Sequence, residues 1–495
     1  MAGRRPGICG FASGPMPFGA RFFAWLLVLL AAGLPGCTRS DSRLGPVLRL
    51  NQAAGDSAAH SWPDYTDIAA RGEDVLAVWM APKGASNSDI VVRRSEDGGR
   101  SWSGEVRPNR PDFADTISVS PRIIRFPASD SLLLVWQSRR NRIGKKFVVV
   151  RRSADGGRHF APAVTLNSQP QAFLPIAASR GAGEVVIAWT DERRVSRDIF
   201  ANRSMDGGRS WLAQDVLLSA NLAADAGEPA LALGAAAESV LVWEERAVRG
   251  RGKTGPPHLL GVRSGDRGKT WSAPAPVQPE PPRRSPLWPK LVESGGRYSL
   301  VWATALAGAV TEGQLFLAQS TDAGRSWSAA QTIFAGEEAP FYRIQSDGER
   351  VYLVWHGGPR ADIGIYFQAS DDGGATWRTP WTTLLRLDTS PPDENALRPA
   401  LGIGEDGVLA IVWVEAHRRV VLRYSTDAGR TWGDPLLVAR EEGGGTLQHP
   451  RIAVSNGRAH IIWERWPDKS KYVKTLFDVD KPTPKDLFVR SVDLR

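Results

Sequence analysis

The octapeptide Ser204-Met-Asp-Gly-Gly-Arg-Ser-Trp211 decides the fold, because close copies of it recur along most of the chain. Each copy follows the pattern Ser-x-Asp-x-Gly-x-(Ser/Thr/His)-(Trp/Phe). The copies are Ser95–Trp102, Ser153–Phe160, Ser204–Trp211, Ser264–Trp271, Ser320–Trp327, Ser370–Trp377 and Ser425–Trp432. Their starts lie 50 to 60 residues apart, which indicates one repeat architecture rather than several unrelated domains.

A second motif, a short β-branched run that ends in tryptophan, occurs eight times, at Trp79, Trp136, Trp189, Trp243, Trp302, Trp355, Trp413 and Trp463. A proline precedes each run, and we expect it to start a first strand, as in Pro229–Leu233. The Trp run is then the second strand, a third strand leads into the octapeptide, and a weaker fourth strand follows. Four short strands per repeat are typical of a β-propeller blade.

The last repeat, which starts at Pro450, has only three strands and no octapeptide. The segment Pro46–Leu50 reads as a strand and has no blade of its own. We expect it to pair with the last blade, because closure removes the exposed edges of a sheet. The sequence therefore predicts an all-β, eight-bladed propeller of four-stranded antiparallel blades, in a single domain over residues 46–495.

Composition excludes several protein classes. Among 495 residues, 42% are hydrophobic and 23% charged, which is ordinary for a globular protein. Two cysteines cannot build a disulfide scaffold or a cysteine zinc site. The seven histidines show no metal-ligand spacing, although His449, before Pro450, is a candidate for the central cleft. We expect no metal and no cofactor.

The N-terminal segment has the features of a targeting signal. The apolar run Phe22–Ala32 is too short to span a bilayer but suits a signal peptide. It ends in Leu34-Pro35-Gly36-Cys37, which resembles a bacterial lipobox. The resemblance implies a signal peptide over residues 1–36, lipidation of Cys37, a tether over 37–45 and a membrane anchor. Thr38 in place of Asp favours the outer membrane. The alternative is an ordinary signal peptide with an unrelated cysteine.

The octapeptides resemble the Asp-box, or bacterial neuraminidase repeat, of the sialidase-like propellers. The resemblance implies a structural role for the box aspartates, whose side chains bond the backbone of a tight turn. These are Asp97, Asp155, Asp206, Asp266, Asp322, Asp372 and Asp427. A box offers too few oxygen ligands for calcium.

The same resemblance implies that ligands meet the face opposite the boxes. The segments after the second-strand tryptophans are rich in arginine and carboxylates there, which suits an anionic or polyhydroxylated ligand. The alternative is a solvated charged rim. Trp62, Trp288 and Trp466 lie outside both motifs and are candidates for ligand contact. We expect a glycan or envelope-protein partner, no nucleic acid, and a monomer.

Sialidases use an arginine triad, a tyrosine nucleophile with a glutamate, and an aspartate acid. The order of these groups along the family's repeats implies Tyr342 as nucleophile, Glu228 as its partner and Asp64 or Asp67 as acid. The triad would be Arg122, Arg246 and Arg284. The match is incomplete, because the first repeat reads Trp62-Pro63-Asp64-Tyr65 without an arginine.

Three classes of function remain open. The first is an envelope-anchored module that binds a glycan or protein on its loop face. The second is a glycoside hydrolase of exo-sialidase type, or a related lyase. The third is a structural lipoprotein that docks envelope proteins. An enzyme requires convergent carboxylates, or a tyrosine with a glutamate, in the central cleft.

Overall fold

The computed structural model describes residues 41–51, 66–83, 87–110, 117–126, 128–139, 144–194, 196–219, 221, 223–249, 253–277, 285–306, 309–337, 341–359, 362–467 and 485–495. The elements in these ranges are strands, β1 to β31. Residues Ser42–Arg495 form one compact unit. The predicted signal peptide, Cys37 and most of the predicted tether lie outside the described residues. Within those ranges, no helix has the length and apolarity needed to cross a bilayer.

The first four blades follow one another along the chain. Blade 1 contains β2 (Thr66–Arg71), β3 (Asp74–Lys83) and β4 (Asn87–Ser95), and blade 2 contains β5 (Ile117–Arg125), β6 (Leu132–Arg139), β7 (Lys146–Ser153) and β8 (Val164–Thr165). Blade 3 contains β9 (Ala172–Arg180), β10 (Glu184–Asp191), β11 (Asp198–Ser204) and β12 (Val216–Leu217). Blade 4 contains β13 (Ala224–Leu233), β14 (Ser239–Arg249), β15 (Lys253–Ser264) and β16 (Ala275–Pro276).

The other four blades complete the set. Blade 5 contains β17 (Ser285–Ser294), β18 (Arg297–Leu306), β19 (Ala309–Ser320) and β20 (Gln331–Gly336), and blade 6 contains β21 (Tyr342–Ser346), β22 (Val351–Gly357), β23 (Gly364–Ser370) and β24 (Leu385–Arg386). Blade 7 contains β25 (Ala396–Ile403), β26 (Leu409–Glu415), β27 (Arg419–Ser425) and β28 (Leu436–Arg440). Blade 8 contains β29 (Thr446–Ser455), β30 (Arg458–Trp466), β31 (Asp486–Asp493) and β1 (Leu48–Arg49).

The eight blades close into a ring, and a single pair, Ser88 with Ile117, joins the sheets of blades 1 and 2. The first strand of each blade is innermost and contacts the first strands of both neighbours, from β2 around to β29 and back to β2. In blade 8 the N-terminal strand supplies the outer position, where Leu48 pairs with Val489 and Arg49 with Phe488. The predicted eight-bladed propeller and its closure by the N-terminal strand are confirmed. In blade 1, a single β-bridge between Val92 and Val106 stands in place of a fourth strand among the described residues.

The tryptophan of each second strand is core, as the β-branched runs around it indicate. All eight are at most 2% exposed. Each packs between neighbouring blades, as in the cluster where Trp79 of blade 1 meets Ile462 and Val489 of blade 8. Burial of such large apolar surfaces between blades is the main stabilising contribution to the ring.

The boxes are tight turns fixed by their own side chains. In the box of blade 3, the Ser204 hydroxyl donates to Asp206 at 2.8 Å and accepts the amide of Gly208 at 2.8 Å. Asp206 accepts the amide of Ser210 at 2.9 Å. Gly208 has φ 84°, and a Cβ there would lie 2.6 Å from Leu133 of blade 2. The box therefore also seats one blade against the preceding one.

The prolines do not start the first strands as expected. In blades 2 to 5, 7 and 8 the strand begins several residues earlier and carries a β-bulge, in which the proline and its preceding residue together lie opposite the second-strand tryptophan. In blade 4, for example, Gly227 pairs with Glu244 and Ala230 with Val242, so Glu228 and Pro229 share the position opposite Trp243. Proline lacks the amide that a ladder requires, and a bulge accommodates it.

Candidate ligand-binding face

The boxes lie on one face of the ring, beside the hairpins that join first and second strands. The amide of Gly98 donates to Glu73 at 2.9 Å, and the amide of Gly207 to Gly183 at 2.8 Å. The opposite face, called the loop face below, is built from the starts of the first strands and the ends of the second strands. The Asp-box turns therefore lie at one end of the strands, and the loop face, where the sequence predicts a ligand, lies at the other end.

The bulges of the first strands share one backbone feature. The residues that precede the prolines all have left-handed backbone angles, with φ between 48° and 58°: Ser120, Leu174, Glu228, Trp288, Arg398 and His449. We call them the pre-proline residues. Innermost strands are covered by a second strand and two neighbouring blades, yet Leu174 and Trp288 are 42% and 37% exposed. Their solvent contact is therefore with the channel and the loop face.

An aromatic strip, formed by Trp288 of blade 5 and by Phe341 just before the first strand of blade 6, lies on this face. The indole of Trp288 stacks on Phe341, with ring centroids 5.9 Å apart and 28° between the planes. The guanidinium of Arg398, from blade 7, lies over the ring of Phe341, 5.2 Å from its centroid. The backbone amide of Arg398 donates to Nδ1 of His356 at 3.2 Å, which fixes the bulge against the second strand of blade 6. The predicted ligand residue Trp288 thus has an accessible aromatic face.

Glu228, the next pre-proline residue, is exposed. Burial and the negative charge of Glu228 raise the pKa of Glu244, whereas the ion pair with Arg246 acts to lower it. Glu228 also contributes to the raised pKa of Tyr342. Glu228 is therefore within electrostatic range of Glu244 and Tyr342, and Glu244 forms an ion pair with Arg246.

Tyr342 itself is a core residue, 2% exposed. Its hydroxyl lies between two backbone carbonyls of blade 5, those of Trp288 and, at 3.1 Å, Val301. Burial raises the pKa of the phenol well above its ordinary value. The group thus joins blades 5 and 6, and this geometry disfavours its ionisation to a nucleophile.

Arg122, the other described member of the predicted triad, lies in a different neighbourhood. Burial raises the pKa of Asp67, and the guanidinium groups of Arg122 and Arg451 oppose that rise. Asp67 also accepts the backbone amide of Ile123 at 2.9 Å. Three innermost strands, from blades 8, 1 and 2, therefore converge on one carboxylate. Trp62, Asp64 and Arg284 lie outside the described residues.

Sequence reasoning missed a buried ionic cluster in blade 8. Glu464, 1% exposed, accepts the Nε1–H of Trp466 at 2.9 Å and lies 3.3 Å from Nδ1 of His449 and 3.7 Å from Nζ of Lys485. Although burial acts to raise it, Lys485 and His449 hold the pKa of Glu464 at about 2. Burial lowers the pKa of Lys485 to about 8.

The signals for this cluster in the sequence were weak. His449 stood before a proline, and Glu464 was one of many charged residues after a tryptophan. Lys485 enters the site from the far end of a long connection after β30, so no local pattern links it to the other two.

Several charges of the rim have structural roles instead of facing a ligand. Asp191, Glu245 and Glu415 each accept the indole N–H of the tryptophan two residues earlier, at 3.1, 3.3 and 2.9 Å. Arg193 pairs with Asp191 and Asp215 at 2.6 Å. Within the described residues, no group of three or more histidine, cysteine, aspartate or glutamate side chains is arranged to hold a metal ion.

The ring, the boxes and the loop face define a β-propeller of the Asp-box class. A model of the BNR repeat-like domain family matches residues 73–339 and 183–461. The chain belongs to that family. A search of curated proteins found no match.

Solved structures with a similar arrangement come from several proteins. An ulvan lyase of polysaccharide lyase family PL25 is 12% identical, with 78% of this chain and 97% of that chain covered and a TM-score of 0.49. The α-L-arabinanase of Penicillium chrysogenum is 15% identical, with 65% and 98% covered and a TM-score of 0.41. The Hadza microbial sialidase Hz136 is 14% identical, with 86% and 74% covered and a TM-score of 0.39.

Proposed function

We propose that this protein is an envelope-anchored propeller that binds a glycan on its loop face. The observation that carries the proposal is the indole of Trp288, 37% exposed at the channel and stacked on Phe341. A sugar ring has an apolar face of C–H groups, which an accessible aromatic ring covers well. Glu228, the exposed pre-proline residue of the adjacent blade 4, offers carboxylate oxygens to hydroxyl groups of the same glycan.

Binding is favoured over the alternative, a hydrolase of exo-sialidase type, because of Tyr342. A tyrosine nucleophile must reach the anomeric carbon, and the Tyr342 hydroxyl is enclosed and bonded to backbone carbonyls. The alternative of a docking lipoprotein has no observation of its own in its favour, whereas the aromatic strip has the chemistry of a sugar platform.

The test compares two substitutions at equivalent bulges. We expect Trp288→Ala to lower affinity by about tenfold or more in a glycan-array screen followed by calorimetry on the purified chain. Leu174→Ala is the matched control, because Leu174 is the pre-proline residue of blade 3 and is 42% exposed. Equal affinity of the parent and Trp288→Ala proteins, or no glycan bound by the parent, would reject the proposal.

The anchoring part of the proposal rests on the sequence Leu34-Pro35-Gly36-Cys37. A thioether-linked lipid on Cys37 would hold the propeller at the outer membrane of a bacterium with two membranes. We expect Cys37→Ala to move the protein from the membrane to the soluble fraction and to abolish labelling with a fatty-acid probe. A membrane fraction that stays unchanged in this variant would contradict lipidation.

A further inference from the structure

The guanidinium of Arg398 lies over the Phe341 ring, 5.2 Å from the ring centroid. Within the described part of the chain, no carboxylate oxygen lies within ion-pair distance of it. Other rim arginines are paired, as Arg193 is with Asp191 and Arg419 with Glu415. Arg398 stands out because it is mostly buried and yet its charge is left without a direct counter-ion.

The surroundings of Arg398 add positive charge. Its nearest charged neighbours in electrostatic terms are Glu464, which stabilises the guanidinium, and Arg451, which destabilises it. Glu464 is already engaged by Lys485, and Arg451 shares Asp67 with Arg122. Arg451 and Lys485 thus add positive charge near Arg398, and the carboxylate of Glu464 is shared with Lys485. An anion bound at this point of the channel would therefore be electrostatically favoured.

The backbone and the aromatic ring hold Arg398 in position. Its left-handed bulge, with φ 58°, is fixed by the bond from its amide to His356. The His356 ring in turn lies edge-on to Phe341 at 5.5 Å. The contact between guanidinium and ring restricts the orientation of the side chain. A guanidinium held in this way presents a planar fork that matches the two oxygens of a carboxylate or sulfate group.

Arg398 and Trp288 lie at the two ends of the aromatic strip, on either side of Phe341. A short oligosaccharide that stacks on Trp288 can therefore place a substituent of a neighbouring sugar at Arg398. We propose that Arg398 is the receptor for an oxyanion, a carboxylate or a sulfate group, carried by the glycan that stacks on Trp288. This inference rests on the proposed function, since the glycan is the same.

The experiment measures the affinity of the full chain for three probes by calorimetry: a neutral galactose oligomer, its uronic-acid counterpart and its sulfated counterpart. We expect at least one charged oligomer to bind about tenfold or more tightly than the neutral one, with a preference that weakens as salt is raised. The two charged probes show whether the oxyanion is a carboxylate or a sulfate. No preference for either would overturn the inference.

The variants separate this inference from the proposed function. Arg398→Gln should remove the charge preference and leave neutral binding intact. Arg418→Gln, which removes one exposed arginine of the same blade, should change neither. Arg398→Lys keeps the charge without the fork, so it should lose part of the preference even if the Gln variant fails to fold.

Each remaining outcome also decides between the two proposals. A preference that persists in Arg398→Gln would overturn the inference. Charged binding that survives Trp288→Ala but is lost in Arg398→Gln would keep the Arg398 site and reject the Trp288 platform. No binding of any probe by the parent protein would overturn both proposals.

Discussion

The side chain of Asn51 donates to the backbone carbonyl of Lys485 at 2.9 Å. Its amide oxygen accepts the backbone N–H of Leu487 at 3.0 Å. Asn51 is 3% exposed, and both bonds join the N-terminal segment to the last blade. The two ends of the propeller are thus held by a buried polar contact next to the short pair of β1 and β31.

Replacing Asn51 with Ala should weaken ring closure. The substitution leaves a buried carbonyl and a buried amide without their partner, which costs about 1–3 kcal/mol. Urea unfolding of the purified protein measures the loss. Val47→Ala is the control, because Val47 is 45% exposed and should change stability by less than about 0.5 kcal/mol. Equal stability of Asn51→Ala and the parent would mean that other contacts close the ring.

The box aspartates should make the fold sensitive to acid. Hydrogen bonds from box hydroxyl and amide groups hold the pKa of Asp97, Asp206, Asp266, Asp322 and Asp372 at about 2. These folded values lie below the unfolded one near 4, so the contribution is complete above about pH 4 and is lost as pH falls towards about 2. The urea midpoint should therefore decrease over that range.

A single substitution tests the origin of this acid sensitivity. Asp206→Asn removes one titrating box, so its stability should be lower near neutral pH and fall less steeply in acid. Glu442→Gln, at an exposed turn, should follow the parent curve. If the pH dependence of Asp206→Asn is identical to that of the parent, the acid sensitivity arises elsewhere.

The buried pair of Glu464 and Lys485 should be strongly coupled. Glu464→Gln leaves the ammonium of Lys485, 2% exposed, without a counter-charge, at a cost of about 3–5 kcal/mol. Lys485→Met added to that variant should recover much of the loss, because no buried charge is then stranded. Denaturant unfolding of the two single variants and the double variant gives the coupling free energy. Additive losses would show that the two side chains act independently.

Tyr342→Phe should affect stability and not function. The variant loses a buried hydroxyl that bonds backbone carbonyls of blade 5, which costs about 1 kcal/mol. Glycan affinity should stay at the parent value. A fluorogenic sialoside assay provides the opposing outcome: turnover by the parent that disappears in this variant would establish Tyr342 as a nucleophile.

The fold could be predicted from the sequence because its signals are local and repeated. Each box carries its own Ser–Asp bonds, and each second strand carries its own core tryptophan, so a copy such as Ser204–Trp211 specifies the same turn wherever it occurs. Ring closure by the segment before β2 also followed from counting, since one blade lacked a strand. The strand starts were misplaced because a proline inside a bulge looks the same in sequence as a proline before a strand.

The candidate site could be predicted only in part. Trp288 lies outside both motifs and is therefore a candidate from the sequence, whereas Arg398 is indistinguishable there from the many other arginines. Contacts between blades decide which charges are available, as with Asp67 of blade 1, whose carboxylate accepts the amide of Ile123 in blade 2. Those contacts join residues far apart in the chain, so no spacing in the sequence reveals them.

The six bulges have a consequence for how recognition by this ring can change. The side chain at each bulge takes no part in the ladder between its strands, because it shares its position with a proline opposite one tryptophan. None of the six residues found there is β-branched, as the left-handed backbone requires. Within that restriction the exposed positions, Leu174, Glu228 and Trp288, make the propeller a display scaffold, in which the chemistry of one blade can be exchanged while the architecture of all eight is preserved.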